Sequence, residues 1–118
     1  MDAMTSIPTK ALLVAINQLF DLEQKADGIP DAACLRRNIE RIRDSFKEMG
    51  FAYESPVGQK FHETRTDVEA HIAGGETEEL EIVEVLKPII RFGAAGISRI
   101  IQKGVVIVRS RKGAAENG

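Results

Sequence analysis

Apolar positions near the start of the chain follow a helical period. Leu13, Ile16, Leu19 and Phe20 lie one, four, seven and eight residues after Leu12, which places all five on one face of a helix running to about Ala26. Thr5-Ser6 ahead of Pro8 predicts the start of that helix, and Gly28 with Pro30 predicts its end. Asp31 is the expected cap of a second helix, in which Leu35, Ile39, Ile42, Phe46 and Met49 fall at alternating steps of four and three. That spacing is a two-position heptad seam, and Gly50 is its expected terminator. Off the seam stand Arg36, Arg37, Glu40, Arg41, Arg43, Asp44, Lys47 and Glu48, so water should cover every side of this helix except one.

Two helices joined by about four residues predict an antiparallel hairpin. One hairpin buries each seam on one side only, and pairing two copies into a four-helix bundle is the simplest remedy. The pattern therefore predicts a homodimer with Leu12, Ile16, Leu19, Leu35, Ile39, Ile42 and Phe46 in its interface.

After Gly50 the period shortens to two. Phe51 and Tyr53 alternate with Ala52 and Glu54, Ser55-Pro56-Val57-Gly58 supplies turn chemistry, and Val68, Ala70 and Ile72 alternate with Glu69 and His71. Gly74-Gly75 and an acidic loop, Glu76 to Glu81, precede the strand candidate Ile82–Leu86, which Pro88 halts. Ile89, Ile90 and Phe92 lead to a turn at Gly93–Gly96, followed by β-branched runs at Ile97–Ile101 and Val105–Val108 split by Gly104. The expected fold class is α+β: a helical dimerisation hairpin over 1–50, a small all-β domain over 51–110 and a frayed polar tail over 111–118.

At 118 residues there is room for one compact unit or two very small ones sharing a core. With 43% hydrophobic and 29% charged residues, the composition is that of an ordinary folded chain. The net charge of −2 conceals a division: residues 1–50 carry −1, residues 51–86 carry −7 and residues 87–118 carry +6. No apolar run reaches the roughly 20 residues of a membrane span, and Asp2 replaces the basic start of a signal peptide, so a cytoplasmic protein is expected.

Candidate chemistry is sparse. His62 beside Glu63 and His71 near Glu69 lack metal-ligand spacing and read as solvated histidines. Cys34, next to the seam residue Leu35, is expected to be a small buried side chain. Neither a Walker loop nor a dinucleotide fingerprint is present, and no catalytic residue, metal or cofactor is expected. Gly93-Ala94-Ala95-Gly96 followed by Ile97-Ser98-Arg99-Ile100 has the Gly-x-x-Gly and Ile-x-x-Ile spacing of the loop–helix element with which KH domains clamp nucleic acid. A hairpin turn between two strands is the other reading of the same residues.

The order of segments resembles the second half of GrpE, the nucleotide-exchange factor of DnaK-type chaperones. Leu12-Leu13-Val14-Ala15-Ile16-Asn17-Gln18-Leu19 is similar to the family's L-L-P-V-x-D-x-L helix segment, and Phe46-Lys47-Glu48-Met49-Gly50-Phe51 to its helix end. Ile82-Val83-Glu84-Val85-Leu86 resembles the V-x-x-V-L/M that follows the acidic loop. Ser98-Arg99-Ile100-Ile101-Gln102-Lys103-Gly104-Val105-Val106-Ile107-Val108 resembles the terminal strand pair. Four segments depart from the pattern, one of them the family's Q-K-G-Y turn, which is Lys87-Pro88-Ile89-Ile90 here. Only about twenty residues of the family's long N-terminal coiled-coil helix are present, the loop Phe61–Ala70 lacks its proline, and the turn Gly93–Ile97 is longer by several residues.

The resemblance implies a homodimer that binds the nucleotide-binding domain of a DnaK-type chaperone through its β domain and opens the cleft for ADP release, without catalysis or a cofactor. Residue by residue, it implies Leu86 and Val108 as apolar contacts and Arg99 as a charged one. Two alternatives accompany it: a small dimeric nucleic-acid-binding protein using Gly93–Gly96, and a dimeric adaptor that binds without exchanging nucleotide.

Overall fold

The chain is α+β, and the computed structural model describes residues 9–94 and 96–111. It divides into two compact units, Met1–Met49 and Gly50–Gly118. Thr5, Ser6 and Pro8, the expected helix start, and residues 112–118 of the expected tail lie outside the described residues.

In the first unit, α1 (Thr9–Asp27) and α2 (Ala33–Glu48) form the expected hairpin. Ile16, Leu19, Phe20 and Ala26 of α1 and Ile39 of α2 are buried. Two ion pairs match the antiparallel order, Arg43 with Glu23, and Arg36 Nη1 with Asp27 Oδ1 at 2.6 Å. Asp31 does not cap α2. It sits in the connecting turn at φ 58°, and Ala32 occupies the cap position without a side-chain hydrogen bond. The end of α2 is as expected: the Met49 N–H donates to the Ser45 and Phe46 carbonyls, and Gly50 leaves the helix at φ 96°. An added Cβ at Gly50 would also lie 2.8 Å from the Gly93 carbonyl oxygen, so both conformation and space require glycine.

The second unit contains six strands: β1 (Phe51–Glu54), β2 (Val68–Ala73), β3 (Leu80–Lys87), β4 (Ile89–Ala94), β5 (Ile97–Gln102) and β6 (Gly104–Ser110). They form two three-stranded sheets, β1-β4-β5 and β2-β6-β3. The last four strands are the limbs of one long antiparallel hairpin. Its outer half pairs β4 with β5, from Ala94↔Ile97 to Ile90↔Gln102, and its inner half pairs β3 with β6, from Lys87↔Val105 to Leu80↔Ser110. Pro88 on one limb and Lys103 on the other interrupt the ladder where the sheets separate. Gln102 Nε2 donates to the Pro88 carbonyl across this break at 3.0 Å. Pro88 thus takes the strand-end position its missing N–H demands.

β1 adds antiparallel to β4, whereas β2 adds parallel to β6, a pairing that alternation alone did not reveal. Side chains facing each other across β2, β6 and β3 build the core of Val68, Leu80, Ile82, Val106 and Val108. Ile89 completes it, with Phe61, Ala70, Val85 and Ile100 packed against it. Gly58 to Phe61 runs beside β3: the Gly58 N–H donates to the Ile82 carbonyl, the Ile82 N–H to the Gln59 carbonyl and the Phe61 N–H to the Leu80 carbonyl.

Candidate partner-binding surface

The hairpin fixes where the three residues singled out on the β domain can act. Leu86 lies on β3, beside a register shift between Val85 and Lys87, and its side chain is exposed. Arg99 lies on β5 opposite Phe92, also exposed, and its guanidinium meets no carboxylate among the described residues. Val108 does not join them. It pairs with Ile72 and Ile82 in the middle of the β2-β6-β3 sheet and has no exposed surface, so it is a core residue and cannot touch a partner while the fold is intact. Leu86 and Arg99 remain, one on each limb and each on an edge strand of its sheet.

Strand pairing resolves part of the charge division. The basic and acidic segments meet where Arg91 Nε reaches Glu54 Oε1 at 2.9 Å and Arg111 Nε reaches Glu81 Oε1 at 3.3 Å. Lys87, Arg99, Lys103 and Arg109 stay exposed and without an ion pair among the described residues, so the cationic remainder is spread over β3, β5, β6 and the link between the last two.

A second feature is a cleft of about 650 Å³ at the other end of the unit, with Phe61, Ile72 and Leu80 on its apolar side and Lys60, His62, Glu63, Glu79 and Arg111 among its charged lining. Ile72 is on the core face of β2 by register, opposite buried Val108, yet is 49% exposed because the cleft opens over it. Glu79 is held at φ 51°, its carbonyl accepting the Arg111 N–H, while the neighbouring Glu78 carbonyl accepts the Ser110 hydroxyl at 2.6 Å.

The loop before β2 is tied by Arg65. Its Nε and Nη2 donate to the two Asp67 carboxylate oxygens at 2.6 and 3.1 Å, Nη2 also to Gln59 Oε1 and Nη1 to the Lys60 carbonyl. The Asp67 carbonyl in turn accepts the Gly104 N–H, joining the loop to the start of β6. These Arg65 hydrogen bonds hold the Asp67 carboxyl below the usual carboxylate range, against a smaller opposing effect of burial.

His62 and His71 are exposed, and no cluster of three potential metal ligands occurs among the described residues. Cys34 is exposed rather than buried, because it lies outside the seam one residue before Leu35. The Gly-x-x-Gly stretch takes the hairpin reading: β4 continues through Gly93 and Ala94, and residues 97–102 form a strand where a KH element requires a helix. In the helical hairpin, Ile16, Leu19 and Ile39 are already buried within one chain, Leu12, Leu35 and Phe46 are half-buried, and Ile42 is 44% exposed. Of the seven positions expected in a dimer interface, the first three therefore serve the chain's own core. The sequence pattern also passed over Ile97, whose position directly after the Gly93–Gly96 turn was the available signal; it is the most exposed of the large hydrophobic residues described.

No described helix is long and apolar enough to cross a membrane. Comparison with protein-family models, curated proteins and solved structures finds no match.

Proposed function

We propose that the chain is a GrpE-like nucleotide-exchange factor, acting in the cytoplasm on the nucleotide-binding domain of a DnaK-type chaperone. The observation that carries this reading is the placement of Leu86 and Arg99, the two exposed residues that match the family's contacts, on opposite limbs of one hydrogen-bonded hairpin. The segment order that resembles the family, a helical hairpin and then strands, supports it further.

Exchange of this kind needs binding energy rather than a catalytic group. A protein that binds the open form of the nucleotide-binding cleft more tightly than the closed form raises the open population, tenfold for each 1.4 kcal/mol or so of preference. Arg99 supplies a charge to orient the contact, and Leu86 supplies apolar area. In the same reading the chain works as a homodimer whose helical hairpins pair into a four-helix bundle. Exposed Val14 and Leu22 on α1, Ile42 on α2 and Met49 at the end of α2 support that pairing, since one hairpin leaves them uncovered.

The test is release of a fluorescent ADP analogue from a DnaK-type chaperone. The protein should accelerate release, and Arg99→Ala should weaken the acceleration without changing the oligomeric state. Binding to the chaperone with no change in release would replace the exchange reading with that of an adaptor.

A further inference from the structure

We propose that Ile97, at the tip of the β4–β5 hairpin, is the apolar anchor of the partner-facing surface, seated on an apolar patch flanked by a carboxylate on the chaperone's nucleotide-binding domain. The inference rests on the exchange reading and names a contact that the resemblance does not supply, since Ile97 opens β5 directly after the turn where the chain departs from the family pattern.

Ile97, the first residue of β5, is 76% exposed, more than any other large hydrophobic side chain described. Alternation along β5 puts it on the same face as Arg99, about 7 Å away along the strand. Ser98 and Ile100 point to the opposite face, where Ile100 packs on the core. The backbone that presents Ile97 is tightly held. Gly93 pairs with Ser98 and Ala94 with Ile97, and a Cβ at Gly93 would lie only 2.6 Å from the Ile97 carbonyl oxygen, a closeness only glycine permits. Across the sheet on this face, Phe92 packs against Phe51 in a tilted ring contact with centroids 4.8 Å apart, and Phe51 is buried, so exposure on this face grows toward β5. The resulting patch offers one branched aliphatic group and one unpaired guanidinium, and its complement is an apolar surface carrying an acidic side chain.

The experiment measures ADP release from the chaperone against the concentration of the full chain for the wild type, Ile97→Val and Ile97→Ser. Ile97→Ser should raise the half-maximal concentration about tenfold, as loss of an apolar anchor of this size predicts, with Ile97→Val within about twofold of wild type. Melting temperatures should be equal, because the side chain is exposed. Should Ile97→Ser match the wild type in a reaction the wild type accelerates, the anchor assignment falls and the exchange reading stands. A melting temperature that drops in step with activity would make Ile97 a folding residue and overturn the assignment too. Without acceleration by the wild type at any concentration, both readings fall.

Discussion

Val108 and Leu86 carry similar side chains in adjacent strands and meet opposite fates. Both were plausible contacts by resemblance, and the register alone separates them, since Val108 pairs on both sides within the core while Leu86 follows a register shift and points to solvent. Val108→Ala should therefore cost about 2 kcal/mol in urea unfolding, the transfer free energy of the lost methyl groups plus the cavity they leave. Leu86→Ala should stay within about 0.5 kcal/mol and instead weaken chaperone binding. Asp67 gives a pH-dependent counterpart. Because Arg65 lowers its pKa in the folded state, its contribution is present above the unfolded carboxylate pKa of about 4 and is lost as pH falls through the lower folded value. Urea unfolding at pH 7 should show Asp67→Asn less stable than wild type, with the gap narrowing toward pH 3; a gap independent of pH would remove the charge from the explanation. Hydrophobic alternation made the β2 core face legible, but no periodicity marks Arg65 and Asp67 as the tie that holds the preceding loop.

At the scale of elements, the local pattern and the structure agree. Both helices and all six strands follow from period, turn residues and Pro88, because each depends on neighbours within a few positions. Structure and pattern part where spacing does not decide backbone conformation or strand partner. Asp31 had cap chemistry but takes the left-handed turn conformation, leaving Ala32 at the cap. The parallel β2–β6 pairing joins strands more than thirty residues apart. The seam also combines two roles that spacing cannot distinguish: Ile39 is covered by its own chain, and Ile42, one turn on, is not. That difference makes Ile42 the informative probe of assembly. Ile42→Asp should convert the proposed dimer to monomer in sedimentation equilibrium with helical content retained, and a stable folded dimer would contradict bundle pairing.

For the whole molecule, the charge division has a structural outcome. Arg91–Glu54 and Arg111–Glu81 join oppositely charged segments inside the β unit, while Arg99, on the edge strand β5 near Ile97, is one of several cations left without an ion pair. The exchange account gives that remainder a purpose: a charged, partly apolar strand face that recognises one form of a partner's cleft. The exchange reading rests on the order of segments alone, and Arg99 is the candidate residue whose exposure and lack of an ion pair fit that reading. The most direct test loads a DnaK-type chaperone with a fluorescent ADP analogue and follows its release by stopped-flow with and without the full chain. The account predicts release that accelerates with protein concentration to a plateau and a response reduced severalfold by Arg99→Ala; a release rate unchanged at saturating protein would contradict it.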